Sequence, residues 1–251
     1  MRRRTLVLAM AWLALAAPCA QAAVPDSLAL RAPLFTRRDL AYAGGAAAAI
    51  TLAFSNDAWA RRQATRAQDQ GARDAARFAE HLGNTAVVAP ALVAVDLAAR
   101  ATGHPALGAA TERVAVSVGV AGVGVLALKQ VFGRTRPFET PNDSHDFRPF
   151  SGHDAFPSGH TTIAFAVAGA LGCESRQRWL PYVTYPAATV VAWSRLRDDK
   201  HWLSDVATGA AFGWWTARKV ESIARRRLPE GLWVIVFPDK RGASARIGVR
   251  F

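Results

Sequence analysis

Cysteine is nearly absent, with two in 251 residues. Cys19 lies in an N-terminal stretch that reads as removable, which leaves Cys173. A lone cysteine cannot form an internal disulfide, so no disulfide framework supports the fold. Cys173 sits in an apolar stretch and is expected to be a buried small hydrophobe. There is also no internal repeat, no low-complexity run and no long linker, which excludes collagen-like and disordered chains. Acidic residues are scarce, 19 against 31 basic ones, for a formal charge of +12. Long uncharged runs are missing too. Beyond the N-terminus they reach only 12 to 17 residues, short of the ~20 that a membrane span requires. What is present is ordinary for a globule: 51% apolar and 20% charged residues, with a mean hydropathy of +0.08. A chain of this length buries a substantial core by itself.

The N-terminus has the build of a secretory signal. Arg2, Arg3 and Arg4 form a basic region, Thr5 to Ala17 an apolar one, and Ala20-Gln21-Ala22 supplies small residues for cleavage after Ala22. Residues 1–22 are therefore expected to be a signal peptide, and the mature chain periplasmic. Those residues hold three Arg and no acid, so the charge falls from +12 to +9 without them. That excess favours anionic partners, either phosphates or an acidic membrane surface. No nucleic-acid partner is expected.

Uncharged stretches recur at Leu40–Asn56, Leu82–Val95, Val114–Leu128, Thr161–Cys173, Leu180–Ser194 and Val206–Ala217. Ala, Val, Leu and Gly dominate them without strand-type alternation, and they predict six helices. Arg61 to Leu82, charged on one face and apolar on the other, predicts a further amphipathic helix. Arg134 to Pro157 holds four prolines and no helical period, so it predicts a long loop of the kind that often carries function. Leu232–Phe237 and Arg246–Phe251 are strand-like around Pro238-Asp239-Lys240-Arg241-Gly242, which predicts a C-terminal β-hairpin. The expected organisation is all-α, a bundle of about six core helices over residues 23–230, with a hairpin tail at 231–251.

Three polar clusters stand at the ends of the apolar stretches: Lys129-x6-Arg136-Pro137, Pro157-Ser158-Gly159-His160 and Ser194-Arg195-x5-His201-x3-Asp205. Each has an ordinary reading when taken singly. Lys129 and Arg136 suit helix ends, Ser158 an N-cap, and His201 with Asp205 a pair one helical turn apart. Taken together they suit one task. Lys129, Arg136 and Arg195 match the charge and oxygens of a phosphate group. Ser158 and Gly159 would place a hydroxyl and backbone N–H groups at a helix N-terminus. Asp205 on one ring nitrogen of His201 would fix its tautomer and free the other nitrogen for attack. His160 would then serve as general acid.

This set resembles the type 2 phosphatidic acid phosphatase (PAP2) superfamily, which also holds bacterial class A acid phosphatases and vanadium haloperoxidases. All three parts of that family's pattern are present without a substitution. They are separated by 19 residues from Pro137 to Pro157 and by 33 from His160 to Ser194. The resemblance implies a PAP2-type helical bundle in which Lys129, Arg136, Ser158, Gly159 and Arg195 hold phosphate. It implies His201 as nucleophile, Asp205 as its orienter and His160 as acid. The implied activity is metal-independent hydrolysis of phosphomonoesters or of lipid phosphates and diphosphates through a phosphohistidine, with no cofactor. The alternatives are a vanadate-dependent haloperoxidase, though those proteins are usually much larger, and an integral-membrane undecaprenyl-diphosphate or lipid A phosphatase.

Other residues have plainer expectations. His145 and His153, with Asp143, Asp146 and Asp154, read as a solvated loop face rather than a metal or head-group site. His81 and His104 read as structural. Trp202 is either an entrance wall or a packing residue. Six spans beginning at Leu40 would turn the motifs to the cytoplasm, whereas lipid phosphatases of this family carry them on the outer side. With the short apolar runs, this favours a periplasmic bundle that is soluble or rests on the inner-membrane surface.

Overall fold

The computed structural model describes residues 35–66, 70–174, 179–227, 232–239 and 242–249. The expected signal peptide lies outside them. Among the described residues run eight α-helices: α1 (Arg37–Phe54), α2 (Asp57–Ala64), α3 (Gln70–Gly83), α4 (Thr85–Ala101), α5 (Pro105–Phe132), α6 (Gly159–Glu174), α7 (Pro181–Arg197) and α8 (Leu203–Arg227). The backbone of β1 (Leu232–Asp239) pairs antiparallel with β2 (Gly242–Val249), with Asp239 opposite Gly242.

The element that organises the bundle is α6. It is apolar all round, which makes it stable only when surrounded, and its residues from Thr161 to Ala166 are all buried. One side, with Ala164, Phe165 and Ala168, packs on Val191 of α7 and on Val206, Ala210 and Trp214 of α8. The other, with Ile163, Ala166 and Ala170, packs on Val114, Val118 and Ala121 of α5. Cys173, on the same helix, is buried as expected.

Glycine sets how closely the neighbours approach. A Cβ at Gly213 of α8 would lie 2.1 Å from the Thr162 carbonyl oxygen, and one at Gly209 would lie 2.7 Å from that of Ser158. The first half of α8 therefore presses directly on the start of α6. Gly133 closes α5 in the left-handed conformation, φ 54°. A Cβ there would collide with the Arg148 carbonyl, so this glycine both ends the helix and admits the returning loop.

Two sequence expectations need correction. Arg61–Leu82 is not one helix. Thr65 closes α2, with its backbone N–H and its hydroxyl both bonded to the Arg61 carbonyl, at 3.0 and 2.9 Å. The two pieces serve different neighbours, since α2 buries Asp57 and Ala60 while α3 buries Ala76, Ala79 and Gly83. The short-run reading of the apolar stretches also fails at Val114–Leu128. Arg113 and Lys129 bound the uncharged run but not the helix, which has 28 residues and is about 42 Å long at the ordinary helical rise.

By length and composition α5 can cross a membrane, and only 28% of its most apolar window is buried. The pair α3 and α4, bent by 57° at Asn84, passes the same test as one broken element. Val123 and Leu126 of α5 and Val93 and Leu97 of α4 are at least 59% exposed. The loop from Arg134 to Pro157 is non-helical as expected. Arg134 bridges Phe147; Phe54 of α1 lies tilted against Phe147 and Phe156, and Phe132 meets both of those rings edge-on.

The close contact of α6 and α8 generates a stability prediction. Gly213→Ala should lower stability by about 1–3 kcal/mol through overpacking. Gly45→Ala, where nothing lies within 4 Å of the new methyl, should raise it by about 0.5–1 kcal/mol. Thermal or denaturant unfolding of the two variants checks this, and a Gly213→Ala variant as stable as the parent would refute the packing.

Candidate active site

Each motif sits where a helix begins or ends, and the packing of α5, α6, α7 and α8 brings these ends together. The result is a cavity of about 360 Å³ whose wall includes Lys129, Arg136, Gly159, His160, Arg195 and His201. Lys129 comes from the last turn of α5 and Arg136 from the loop after it. Gly159 and His160 open α6, Arg195 lies near the end of α7, and His201 precedes α8. Asp205 and Ser158 stand behind that wall, both with no exposed surface. The Ser158 hydroxyl accepts a bond from the Thr161 hydroxyl at 3.0 Å. Its backbone N–H donates to the Asp205 carbonyl at 3.1 Å, tying the second motif to the third.

His201 is 5% exposed. Its Nδ1 lies 2.8 Å from the Ala155 carbonyl oxygen and 3.5 Å from Asp205 Oδ2. The nearer partner is an acceptor that can only receive a proton, so Nδ1 carries the hydrogen and Nε2 holds the lone pair. Asp205 is thus a second, longer-range neighbour of the ring, not its sole orienter. Oδ2 of Asp205 accepts from the Trp202 backbone N–H at 2.8 Å, and its Oδ1 accepts from Arg134. Burial lowers the His201 pKa against the pull of Asp205, which favours the neutral imidazole.

His160 has a different environment. Burial, and then the Arg195 guanidinium, push its pKa down to about 4. Its Nε2 is shielded from solvent and makes no hydrogen bond among the described residues. Oε1 of Glu80 is 3.8 Å away.

The cations are held by carboxylates. Arg136 binds Asp154 through Nε and Nη2, both at 2.9 Å, and Lys129 bonds the Asp154 carbonyl oxygen. Against the effect of burial, Lys129 and Arg136 hold the Asp154 carboxyl below its ordinary pKa. Arg195 donates to Glu80 at 3.0 Å and to Asp198 at 3.1 Å. Two carboxylates, Asp154 and Glu80, therefore take up the donors that a tetrahedral oxyanion would use.

Sequence reasoning missed several of these residues. Asp154 was expected on a solvated loop face and instead lines the cavity, while Asp143 and His145 of that loop are exposed. Its charge within a proline-rich loop, three residues before Pro157, was the available signal. Glu80, Lys200, Asp57 and Arg134 have no local pattern that marks them. Trp202 is a packing residue, 1% exposed, and its indole N–H donates to the Thr135 carbonyl at 3.3 Å. Among the described residues no group of three or more His, Cys, Asp or Glu is placed to hold a metal ion.

Comparison with known proteins adds independent findings. Residues 112–227 match the PAP2 superfamily model. A lipid A 1-phosphatase of Porphyromonas gingivalis is 38% identical over 101 residues, which are 39% of this chain and 20% of that protein. A putative undecaprenyl-diphosphatase, YbjG of Escherichia coli, is 31% identical over 101 residues, 40% of this chain and 50% of that protein. The matched stretch thus spans half or less of these relatives. Among solved structures, Aquifex aeolicus LpxE has a TM-score of 0.51 at 21% identity, covering 65% of this chain and 92% of that one. A transmembrane PAP2-type phosphatidylglycerolphosphate phosphatase from Bacillus subtilis has a TM-score of 0.55 at 16% identity, covering 91% and 100%. At these identities the structural likeness speaks for the fold alone. All three motifs fall inside the segment, 112–227, that is similar to the PAP2 superfamily.

Proposed function

We propose that the chain is a phosphatase that hydrolyses phosphomonoesters, lipid phosphates or lipid diphosphates through a phosphohistidine on His201, with no metal in the chemistry. The observation that carries this reading is the meeting of His201, His160 and the cations Lys129, Arg136 and Arg195 in one cavity. Phosphate displaces Asp154 and Glu80 from these cations and brings its charge beside His160. Nε2 of His201 attacks phosphorus as the P–O bond to the leaving group breaks, and His160 gives its proton to the departing oxygen. Water then attacks the phosphohistidine. His160 takes the water's proton, the P–N bond breaks, and phosphate leaves with His201 neutral again. Charge on the equatorial oxygens is met by preorganised cations, which supplies most of the barrier lowering.

Lipid substrates suit the surface. Apolar Val123 and Leu126 are exposed on the same helix that presents Lys129, and a contiguous apolar face of this kind marks a membrane or partner contact. The relatives that match are lipid A and undecaprenyl-diphosphate phosphatases by name. The reading therefore places α4 and α5 against lipid, with the cavity at head-group level. In the same reading residues 1–22 are an export signal, residues 23–230 the phosphatase domain on the periplasmic side, and 231–251 a hairpin appendage.

Three outcomes are expected. His201→Ala should abolish turnover and leave the melting transition intact, while the parent stays active in chelator and is inhibited by vanadate. Substantial residual activity in that variant would refute the nucleophile assignment. The ratio kcat/KM reports the free enzyme. His160 must be protonated to act as acid, and its pKa of about 4 leaves it largely neutral at pH 7. Burial lowers the His201 pKa, which favours the neutral nucleophile. The ratio should therefore rise as pH falls from 7 toward 5, and a steady rise from pH 5 to 8 would contradict the assignment. Finally, the protein should stay with membranes after carbonate washing and come off in detergent. Release by carbonate alone counts against the lipid-facing placement.

A further inference from the structure

Behind the cavity lies a chain of buried charges that the reaction itself does not use. Arg134 has no exposed surface, although it stands in a loop. Its guanidinium donates to Asp205 Oδ1, to Asp57 Oδ2 at 2.7 Å and to the Ser204 hydroxyl at 2.6 Å. Asp57, from α2, is equally buried. It accepts from the Ser204 backbone N–H at 2.8 Å and from the Ser204 hydroxyl at 2.7 Å. Phe54, Phe147 and Trp202 enclose the guanidinium at 5.1, 4.9 and 5.5 Å from their ring centres. Water is excluded, so these bonds have no substitute.

The backbone of the same residue matters as much. The Arg134 carbonyl accepts from the Ala155 N–H at 3.0 Å, and the Ala155 carbonyl is what Nδ1 of His201 bonds. Both neighbours of that ring nitrogen, Ala155 and Asp205, are therefore held by Arg134, one through its main chain and one through its side chain. We propose that Arg134 and Asp57 are positioning residues for His201: they clamp Asp205 and Ala155 so that Nδ1–H points inward and Nε2 faces the cavity. Asp57 lies outside the segment that the family model matches, so this chain completes its nucleophile's support with a residue from α2. The inference rests on the phosphatase reading for its kinetic test, but not for its structural one.

The charged groups that face His201 are Asp205 from α8, Lys129 from α5, Arg136 from the loop and His160 from α6. Arg134 and Asp57 act on it from the second layer and with opposite sign. The test uses the full chain, p-nitrophenyl phosphate as substrate and vanadate to titrate active sites. Asp57→Asn and Arg134→Gln should each lower kcat per titrated site by about 10-fold or more, the scale of lost outer-layer support for a metal-ligating histidine, with KM unchanged. The acid limb of kcat should move down in Asp57→Asn, where an anion is lost, and up in Arg134→Gln, where a cation is lost. A kcat per titrated site and an acid limb equal to the parent's would overturn the proposal. Should Arg134→Gln fail to fold, Asp57→Asn decides alone. If the parent hydrolyses no phosphoester, the phosphatase reading falls, and ¹⁵N spectra of the histidine rings test the clamp. They should show a single Nδ1–H tautomer for His201 in the parent and a mixture in Asp57→Asn. An unchanged tautomer would overturn the inference independently of activity.

Discussion

The contact between the first turn of α6 and the first half of α8 is the constraint on which the site depends. Gly209 and Gly213 let α8 lie directly on the backbone of α6. At that distance the Asp205 carbonyl reaches the Ser158 N–H, and His160 and His201 come to share one cavity. A methyl at either glycine would push the two histidines apart. Geometry at the scale of a few tenths of an ångström thus follows from residues that carry no chemistry. This is the usual relation between a rigid scaffold and the groups it aligns.

Charge balance is the second organising fact. The cavity gathers Lys129, Arg136, Arg195 and Lys200 at close quarters, and like charges at that spacing repel strongly in a partly buried site. Asp154 holds Lys129 and Arg136, and Glu80 holds Arg195. The same principle operates one layer deeper, where Arg134 sits between two buried carboxylates. There the pairing excludes water altogether. In the cavity the pairs stay partly exposed to solvent.

Much of the apolar surface of α4 and α5 is exposed among the described residues. The sequence disguised it, because Arg113 and Lys129 cut the run of α5 to a length below a membrane span. The helix ignores those charges. It begins with Pro105 in its first turn and stops only at Gly133, where the left-handed backbone ends it. Charged residues at a helix interior mark its exposed or functional faces, not its ends, so counting residues between charges underestimated the element. The same habit joined α2 to α3, where an amphipathic pattern ran on through a break that only the Thr65 cap and the differing neighbours impose.

The three motifs were legible because their chemistry demands particular residue types at particular intervals, and local spacing survives in a sequence. Lys129, Arg136, His160, Arg195, His201 and Asp205 could be named from it, as could the helices that carry them, since apolar composition and helical propensity are local properties. The counter-charges could not. Glu80 and Asp57 reach the site through packing across more than 100 residues of chain, and an isolated acid looks alike on a surface and beside a buried cavity. Arg134 stood two residues from a named motif residue and still gave no sign, because nothing local says that a loop arginine is buried. The sequence by itself determined most of the charged and titratable groups that line this cavity. Only the tertiary structure decided what holds those groups in register, because burial and charge pairing are relations between segments, and no single segment contains them.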